Sequence, residues 1–185
     1  MSVLEVGAGT GAVTRYLGTL LGSQDRFDVC EISQDFADIL ERDLLSGPLF
    51  ADAVAGGRVR LLRQPVQKIS PDNRYDFIIS GLPLTSFDLR DVEDVFSVIC
   101  RSLRPGGVFT YFEYVALRRT SRALAVGKKR ARLRDVSRFL TRHIREHQFA
   151  HQMVMQNLPP AHVRHLRFSE MPGPQYRVDE LHSTV

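Results

Sequence analysis

Val3-Leu4-Glu5-Val6-Gly7-Ala8-Gly9-Thr10-Gly11 decides how this chain is read. An apolar run broken only by Glu5 leads straight into three glycines at alternate positions. Ala12-Val13-Thr14-Arg15-Tyr16-Leu17 then continues with helical character. The pattern predicts a buried strand, a turn whose backbone lets a ligand come close, and a helix whose first N–H groups face that ligand. A nucleotide-like cofactor suits such a corner. Any strand-to-helix corner can use a glycine or two, so the reading needs a partner further along the chain.

That partner is Arg26-Phe27-Asp28-Val29-Cys30-Glu31-Ile32, a short strand ending in an acid twenty residues beyond Gly11. At this distance the second strand of a doubly wound sheet delivers a carboxylate to a ribose, whose two hydroxyls can donate to its two oxygens. Taken alone, Glu31 would read as a solvated acid at a strand end. The glycine turn in front of it favours the ribose role.

Outward from this pair, strands and helices alternate. The first helix is expected to run to about Leu21, closed by Gly22. Gln34 to Leu45 reads as an amphipathic helix with Phe36, Ile39, Leu40 and Leu44 on one stripe, broken by Ser46-Gly47-Pro48. A polar, glycine-containing loop leads to a third strand at Arg58 to Arg63. The fourth, Tyr75 to Ser80, suits a strand buried on both faces. A helix over Asp91 to Leu103 ends in Arg104-Pro105-Gly106-Gly107, a fifth strand covers Val108 to Tyr114, and a late strand covers Phe149 to Gln156. The fold class is therefore α/β: a Rossmann-like doubly wound sheet, mostly parallel with an antiparallel late strand. Ligands bind beyond the carboxyl ends of its strands.

A chain of 185 residues fits one domain, taken as 1–170 with a loose polar tail over 171–185. No apolar stretch approaches the ~20 residues that span a bilayer, and no signal peptide is visible. Cys30 and Cys100 lie in separate apolar runs and read as buried free thiols of a cytoplasmic protein.

The turns at the carboxyl ends can be gathered: Gly7 to Gly11, Glu31-Ile32, Gln64-Pro65-Val66 and Ser80-Gly81-Leu82-Pro83-Leu84. With the Leu-Arg-Pro-Gly-Gly hinge before strand five, the set resembles class I S-adenosylmethionine-dependent methyltransferases. A nicotinamide dehydrogenase, the other user of such a fold, usually spaces its glycines Gly-x-Gly-x-x-Gly. The resemblance implies S-adenosylmethionine as cofactor, bound by Glu5, Gly7, Gly9, Gly11, Glu31, Ile32, Gln64 and Ser80. Many relatives place an acid near the adenine where this chain has Gln64-Pro65. Ser80 to Leu84 lacks the Asn/Asp head and terminal Tyr of nucleic-acid adenine and glutamine enzymes. It is similar to the turn of bacterial phospholipid N-methyltransferases, which act on phosphatidylethanolamine, and of related ornithine-lipid enzymes. Gln156-Asn157-Leu158-Pro159-Pro160-Ala161-His162-Val163 resembles a late motif of the same branch.

The acceptor implied by that branch is a membrane-lipid amine. Leu82 and Pro83 would aim turn carbonyls at its nitrogen, while Glu113 and Tyr114 at the end of strand five would position the cation. Strand alternation puts Tyr111 and Glu113 on one face and Tyr114 on the other. Tyr111 and Tyr114 read equally well as core aromatics.

The net charge of +4 is concentrated late: eleven Lys/Arg lie between Arg118 and His147, opposed only by Asp135 and Glu146. Apolar residues interleave with them, which favours amphipathic helices on an anionic membrane surface and peripheral membrane association over a nucleic-acid track. His143, His147 and His151 share a helical spacing, but the strand expected from Phe149 breaks it, and no metal is expected. Class I methyltransferases usually carry helices ahead of the first strand. This sequence starts at that strand and lacks them, so the expectation is a frame that belongs to a longer enzyme. The alternatives are an N-methyltransferase for RNA or a soluble amine, or a truncated cofactor-binding remnant with little activity. Oligomeric state is not legible.

Overall fold

The computed structural model describes residues 1–114, 128–155 and 160–168. β1 (Ser2–Val6), α1 (Ala12–Gly18), β2 (Arg26–Cys30), α2 (Gln34–Leu40), α3 (Ala51–Ala55), β3 (Val59–Leu62), β4 (Tyr75–Ser80), α4 (Leu89–Ser102), β5 (Leu103–Tyr114), α5 (Lys128–His147), β6 (Gln148–Val154) and β7 (Ala161–Leu166) follow in order. The strands form one sheet in the order β3-β2-β1-β4-β5-β7-β6. All neighbours are parallel except β7, which lies antiparallel between β5 and β6. The chain winds outward from β1 in one direction to β3 and then resumes on the other side at β4. The resulting switch point between β1 and β4 is where a doubly wound sheet opens a crevice for ligands.

Two apolar cores flank the sheet. α4 and α5 cover one face with Val92, Val95, Phe96, Ile99, Val136 and Leu140, packed on Ile78, Phe109, Tyr111 and Leu166. On the other face Leu40, Leu44, Leu45 and Phe50 close over Val3, Phe27, Val29 and Val59. At the amino ends of the strands, Asp28 is buried. It holds Arg60 through two bonds of 2.8 and 2.7 Å and accepts from the Tyr75 hydroxyl at 2.7 Å. These bonds link β2, β3 and β4 at the end opposite the switch point.

Several local expectations shift. α1 ends at Gly18 rather than near Leu21. The helix expected to reach Leu45 is α-helical only to Leu40. Glu41–Leu45 widens into a π-turn, so Leu44 and Leu45 both reach the core while Phe36 stays exposed. The loop before β3 contains the short α3. Asp88 precedes α4, which starts at Leu89. β5 begins at Leu103 because Leu103 already pairs with Tyr75, and the Pro-Gly-Gly hinge forms an irregularity inside the strand. Both cysteines are free and buried, and burial pushes each thiol up to about 12. The 171–185 tail, Arg118 to Arg122 and Gln156-Asn157-Leu158-Pro159 lie outside the described residues.

Candidate cofactor and acceptor site

Gly7, Gly9 and Gly11 take φ values of 72°, 57° and 87°, in the left-handed region that favours glycine. The turn is tied to the next strand, since the Gly7 N–H donates to the Cys30 carbonyl at 2.9 Å. A methyl group on Gly11 would meet the side-chain ends of Leu44 and Leu40 at 2.7 and 2.8 Å, so both leucines would have to shift, and its left-handed φ disfavours a side chain in any case. Gly9 is different: a methyl group there would meet nothing within 4 Å. Its surface faces open space.

Glu31 is 5% exposed, and its carboxylate is pinned from both sides. Oε2 accepts the Gly9 N–H and Oε1 accepts the Ser33 N–H, each at 2.8 Å. A carboxylate has about four lone-pair sites, so two remain for a diol. Gln64 follows on β3, and its carbonyl accepts from the Cys30 thiol at 3.1 Å.

These residues bound a cleft of about 220 Å³ lined by Val6, Gly7, Cys30, Glu31, Ile32, Gln64, Pro65, Val66, Gln67, Leu82, Phe87, Asp91 and Val95. Closed pockets for drug-sized ligands hold ~300–1,000 Å³, so this one takes part of a ligand and leaves the rest along the open glycine turn. Ile32 stands 64% exposed at its rim. Two larger clefts, of about 550 and 540 Å³, lie over the outer face of α5 and among arginines at the amino ends of the strands. Neither touches the glycine turn or the acid that make a nucleotide site.

The second turn locks onto the first. The Gly81 N–H donates to the Val6 carbonyl at 2.8 Å, and a methyl group on Gly81 would sit 2.6 Å from the Gly7 carbonyl oxygen. Leu82 packs on Gly7 closely enough that a methyl group there would stand 2.7 Å from Cδ2. Pro83, at φ −77° and ψ 70°, is the centre of an inverse γ-turn in which the Leu84 N–H donates to the Leu82 carbonyl at 2.8 Å. The Pro83 carbonyl accepts from Ser86 at 2.7 Å. Each carbonyl thus keeps one lone pair for a substrate N–H.

Three expected contacts sit differently. Ser80 is fully buried, and its hydroxyl accepts the Leu82 N–H at 3.3 Å, so it shapes the turn rather than lining the cleft. Glu5 is also buried, at 2% exposure, under the glycine turn and outside the cleft lining. Burial pushes its carboxyl up to about 7, with contact to Thr14 lowering it and nearby Glu31 raising it. Glu113 is buried on the same face as Tyr111, and the Arg164 Nε approaches its Oε2 at 3.4 Å, while Arg164 Nη1 donates to Gln148 at 2.8 Å. Tyr111 stacks on Phe109 with 5.5 Å between centroids and belongs to the core. Tyr114 pairs with Ala161 through the backbone, and its side chain lies outside the described residues. His143 is buried on α5, its Nδ1 3.1 Å from the Phe139 carbonyl oxygen, whereas His151 lies on β6 with its Nε2 2.9 Å from Nδ1 of His162. Among the described residues no group of three metal-ligating side chains converges.

Gln67, Phe87, Asp91 and Val95 line the cleft without having been singled out by the sequence. Asp91 and Val95 stand four apart on α4, a shared face that becomes visible only once the fourth turn is known to fold back over the first.

The model of the family described as "methyltransferase domain" matches residues 3–107. The chain belongs to that family. A curated relative, an ornithine lipid N-methyltransferase of Singulisphaera acidiphila, is 36% identical over 107 residues, which make up 58% of this chain and 54% of that protein. The match thus spans about half the relative's length. Among solved structures, the N-methyltransferase NodS of Bradyrhizobium japonicum in complex with S-adenosyl-L-homocysteine aligns with a TM-score of 0.64. The identity is 15%, over 91% of this chain and 78% of that one. An S-adenosylmethionine-dependent methyltransferase of Clostridium acetobutylicum aligns with a TM-score of 0.62 at 14% identity, over 91% and 84%. At these identities the structures establish the methyltransferase fold. The sheet order, the glycine turn and the buried carboxylate of Glu31 are features of this chain itself.

Proposed function

We propose that this methyltransferase domain transfers a methyl group from S-adenosylmethionine to the amine of a membrane-lipid head group, of the ornithine-lipid or phosphatidylethanolamine kind. The observation that carries the reading is the interlock of the two turns, which seats Gly81 and Leu82 directly on Gly7. An acceptor nitrogen held by the second turn is thereby held over the cofactor turn. The residues present fit the cofactor. Gly9 is open, Glu31 is pre-oriented by two N–H donors, and Ile32, Val66, Phe87 and Val95 offer an apolar slot for a base.

When bound, S-adenosylmethionine supplies a methyl group already activated by its sulfonium. The chain's contribution is then proximity and orientation, which can account for much of the rate. The free lone pairs of the Leu82 and Pro83 carbonyls would accept the amine N–H bonds. Glu113, held by Arg164, suits orientation of the protein frame better than proton removal. Transfer should therefore quicken with pH as more of the acceptor amine is uncharged.

The lipid acceptor is supported by the curated relative's name and by the outer face of α5. Arg134, Arg138, Arg142 and Arg145 line one groove there. Each basic charge near an anionic membrane surface contributes about 1 kcal/mol. Peripheral attachment fits a chain in which, among the described residues, no helix is long and apolar enough to cross a bilayer.

The test supplies radiolabelled S-adenosylmethionine with vesicles containing ornithine lipid or phosphatidylethanolamine, or with RNA. Label is expected in the lipid, and Glu31→Ala should abolish it while weakening S-adenosylhomocysteine binding at least about tenfold, as loss of hydrogen bonds to a charged group does. Label in RNA and none in lipid would overturn the acceptor.

A further inference from the structure

We propose that Asp91 selects the adenine base, its carboxylate accepting a hydrogen bond from the exocyclic amino group. The assignment rests on the S-adenosylmethionine reading above and adds to it a specificity-determining residue from α4.

The cleft fixes the direction in which the cofactor lies. The glycine turn at one end suits the amino-acid portion, and the two remaining lone-pair sites of Glu31 suit the ribose. The base then occupies the slot bounded by Ile32, Pro65, Val66, Phe87 and Val95. Pro65 carries neither an N–H nor a side-chain acceptor. The polar groups left along that end are Gln64, Gln67 and Asp91.

Glu31 and Asp91 are the charged residues of the lining, and their situations differ. Both oxygens of Glu31 are already held by N–H groups of its own turn. Asp91 has no hydrogen bond or ion pair among the described residues and stands exposed in the first turn of α4. Val95, one helical turn further, lines the same cleft, so this face of α4 is turned toward the ligand.

Chemistry separates the three polar groups. An amide both donates and accepts, so Gln64 and Gln67 can satisfy an amino or an oxo substituent equally. An ionised carboxylate only accepts. It rewards a donor at the six position of the purine and gains nothing from a hydrogen there.

The experiment is a double-mutant cycle between protein and ligand, read by calorimetry on the full chain. The ligands are S-adenosylhomocysteine and its analogue lacking the six-amino group, and the proteins are the parent, Asp91→Ala and Asp91→Asn. Thermal unfolding verifies that the variants fold, as expected for an exposed position. The parent should prefer S-adenosylhomocysteine by roughly tenfold, the size of a hydrogen bond to a charged group that water partly reaches. Asp91→Ala should bring the preference to within about twofold, and Asp91→Asn, which keeps an acceptor oxygen, should retain part of it. A parent that binds both ligands equally, or an Asp91→Ala variant that keeps the full preference, overturns the assignment and leaves the cofactor reading standing. A folded parent that binds neither ligand overturns both.

Discussion

The two halves of this molecule are specified in different ways. From β1 to β4 the critical features belong to the backbone: three left-handed glycines, N–H groups that grip Glu31, and a second turn packed against the Gly7 carbonyl. From β5 onward they belong to side chains. α5 buries Leu133, Val136, Leu140 and His143 on one face and presents arginines on the other, while Phe149 and Met153 stand exposed on edge strand β6. The family match ends at residue 107, close to this division. A cofactor common to many enzymes imposes a fixed backbone geometry. Exposed side chains such as the arginines of α5 tolerate exchange far better. The first half should therefore break under single-atom changes that the second half absorbs.

The largest effect is expected at Gly81. The methyl group of Gly81→Ala would stand 2.6 Å from a backbone oxygen of Gly7, where no flexible side chain can yield. Overpacking of this kind costs about 3 kcal/mol, and here it would also separate the two turns. Urea unfolding should reveal the loss of stability, and S-adenosylhomocysteine binding should vanish. Gly9→Ala provides the contrast. It meets nothing within 4 Å and bears only the cost of a left-handed alanine, about 1 kcal/mol. That variant should fold and bind the cofactor weakly. Equal stability for Gly81→Ala and the parent would show that the turns are not interlocked.

This division also explains how much could be read from the chain. The glycine spacing and Glu31 were legible because a backbone need leaves a residue type that little else explains. The bounds of β4 were legible in its apolar run, but its burial was not: Tyr75, Ile78 and Ser80 are buried while Phe77 is 40% exposed, so the strand is not covered on both faces as expected. The π-turn at Glu41–Leu45 was not, since a widened turn uses the same residues as an α-helix and differs only in how Leu44 and Leu45 reach the core. Asp91 was hidden for another reason. Its place in the cleft depends on the fold-back of the fourth turn, which no local pattern encodes. Ser80 and Glu5 sat at motif positions, yet burial turned both toward support of the site rather than contact with its space.

Glu5 gives the next effect in size. Its carboxyl holds a proton in the folded chain up to about pH 7, well above its ordinary value of 4.5, chiefly because burial disfavours the charge. Between those values the unfolded chain releases a proton that the native state keeps, so stability falls as pH rises and levels off above 7. The difference corresponds to about 3 kcal/mol at most. Glu5→Gln keeps the shape and removes the titration. Urea unfolding of the variant should exceed that of the parent by about 2 kcal/mol at pH 8, and the gap should close toward pH 4.5. A gap independent of pH would mean that Glu5 keeps its charge under the glycine turn.

The smallest effect on folding, and the sharpest on partner choice, is expected on α5. Arg134 and Arg142 are exposed, line the same groove, and make no ion pair among the described residues. Exposed substitutions of this kind usually change stability by less than about 0.5 kcal/mol. Arg134→Glu combined with Arg142→Glu nevertheless reverses the charge on that face by four units, two per site. The variant should unfold at the parent's urea midpoint and bind S-adenosylhomocysteine equally well. Co-sedimentation with vesicles rich in phosphatidylglycerol should be lost, whereas the parent should bind them and release them as salt rises. Retained vesicle binding would move the membrane contact elsewhere in the chain. A large loss of stability would show that the second half is as tightly specified as the first, and the contrast between the halves would fail.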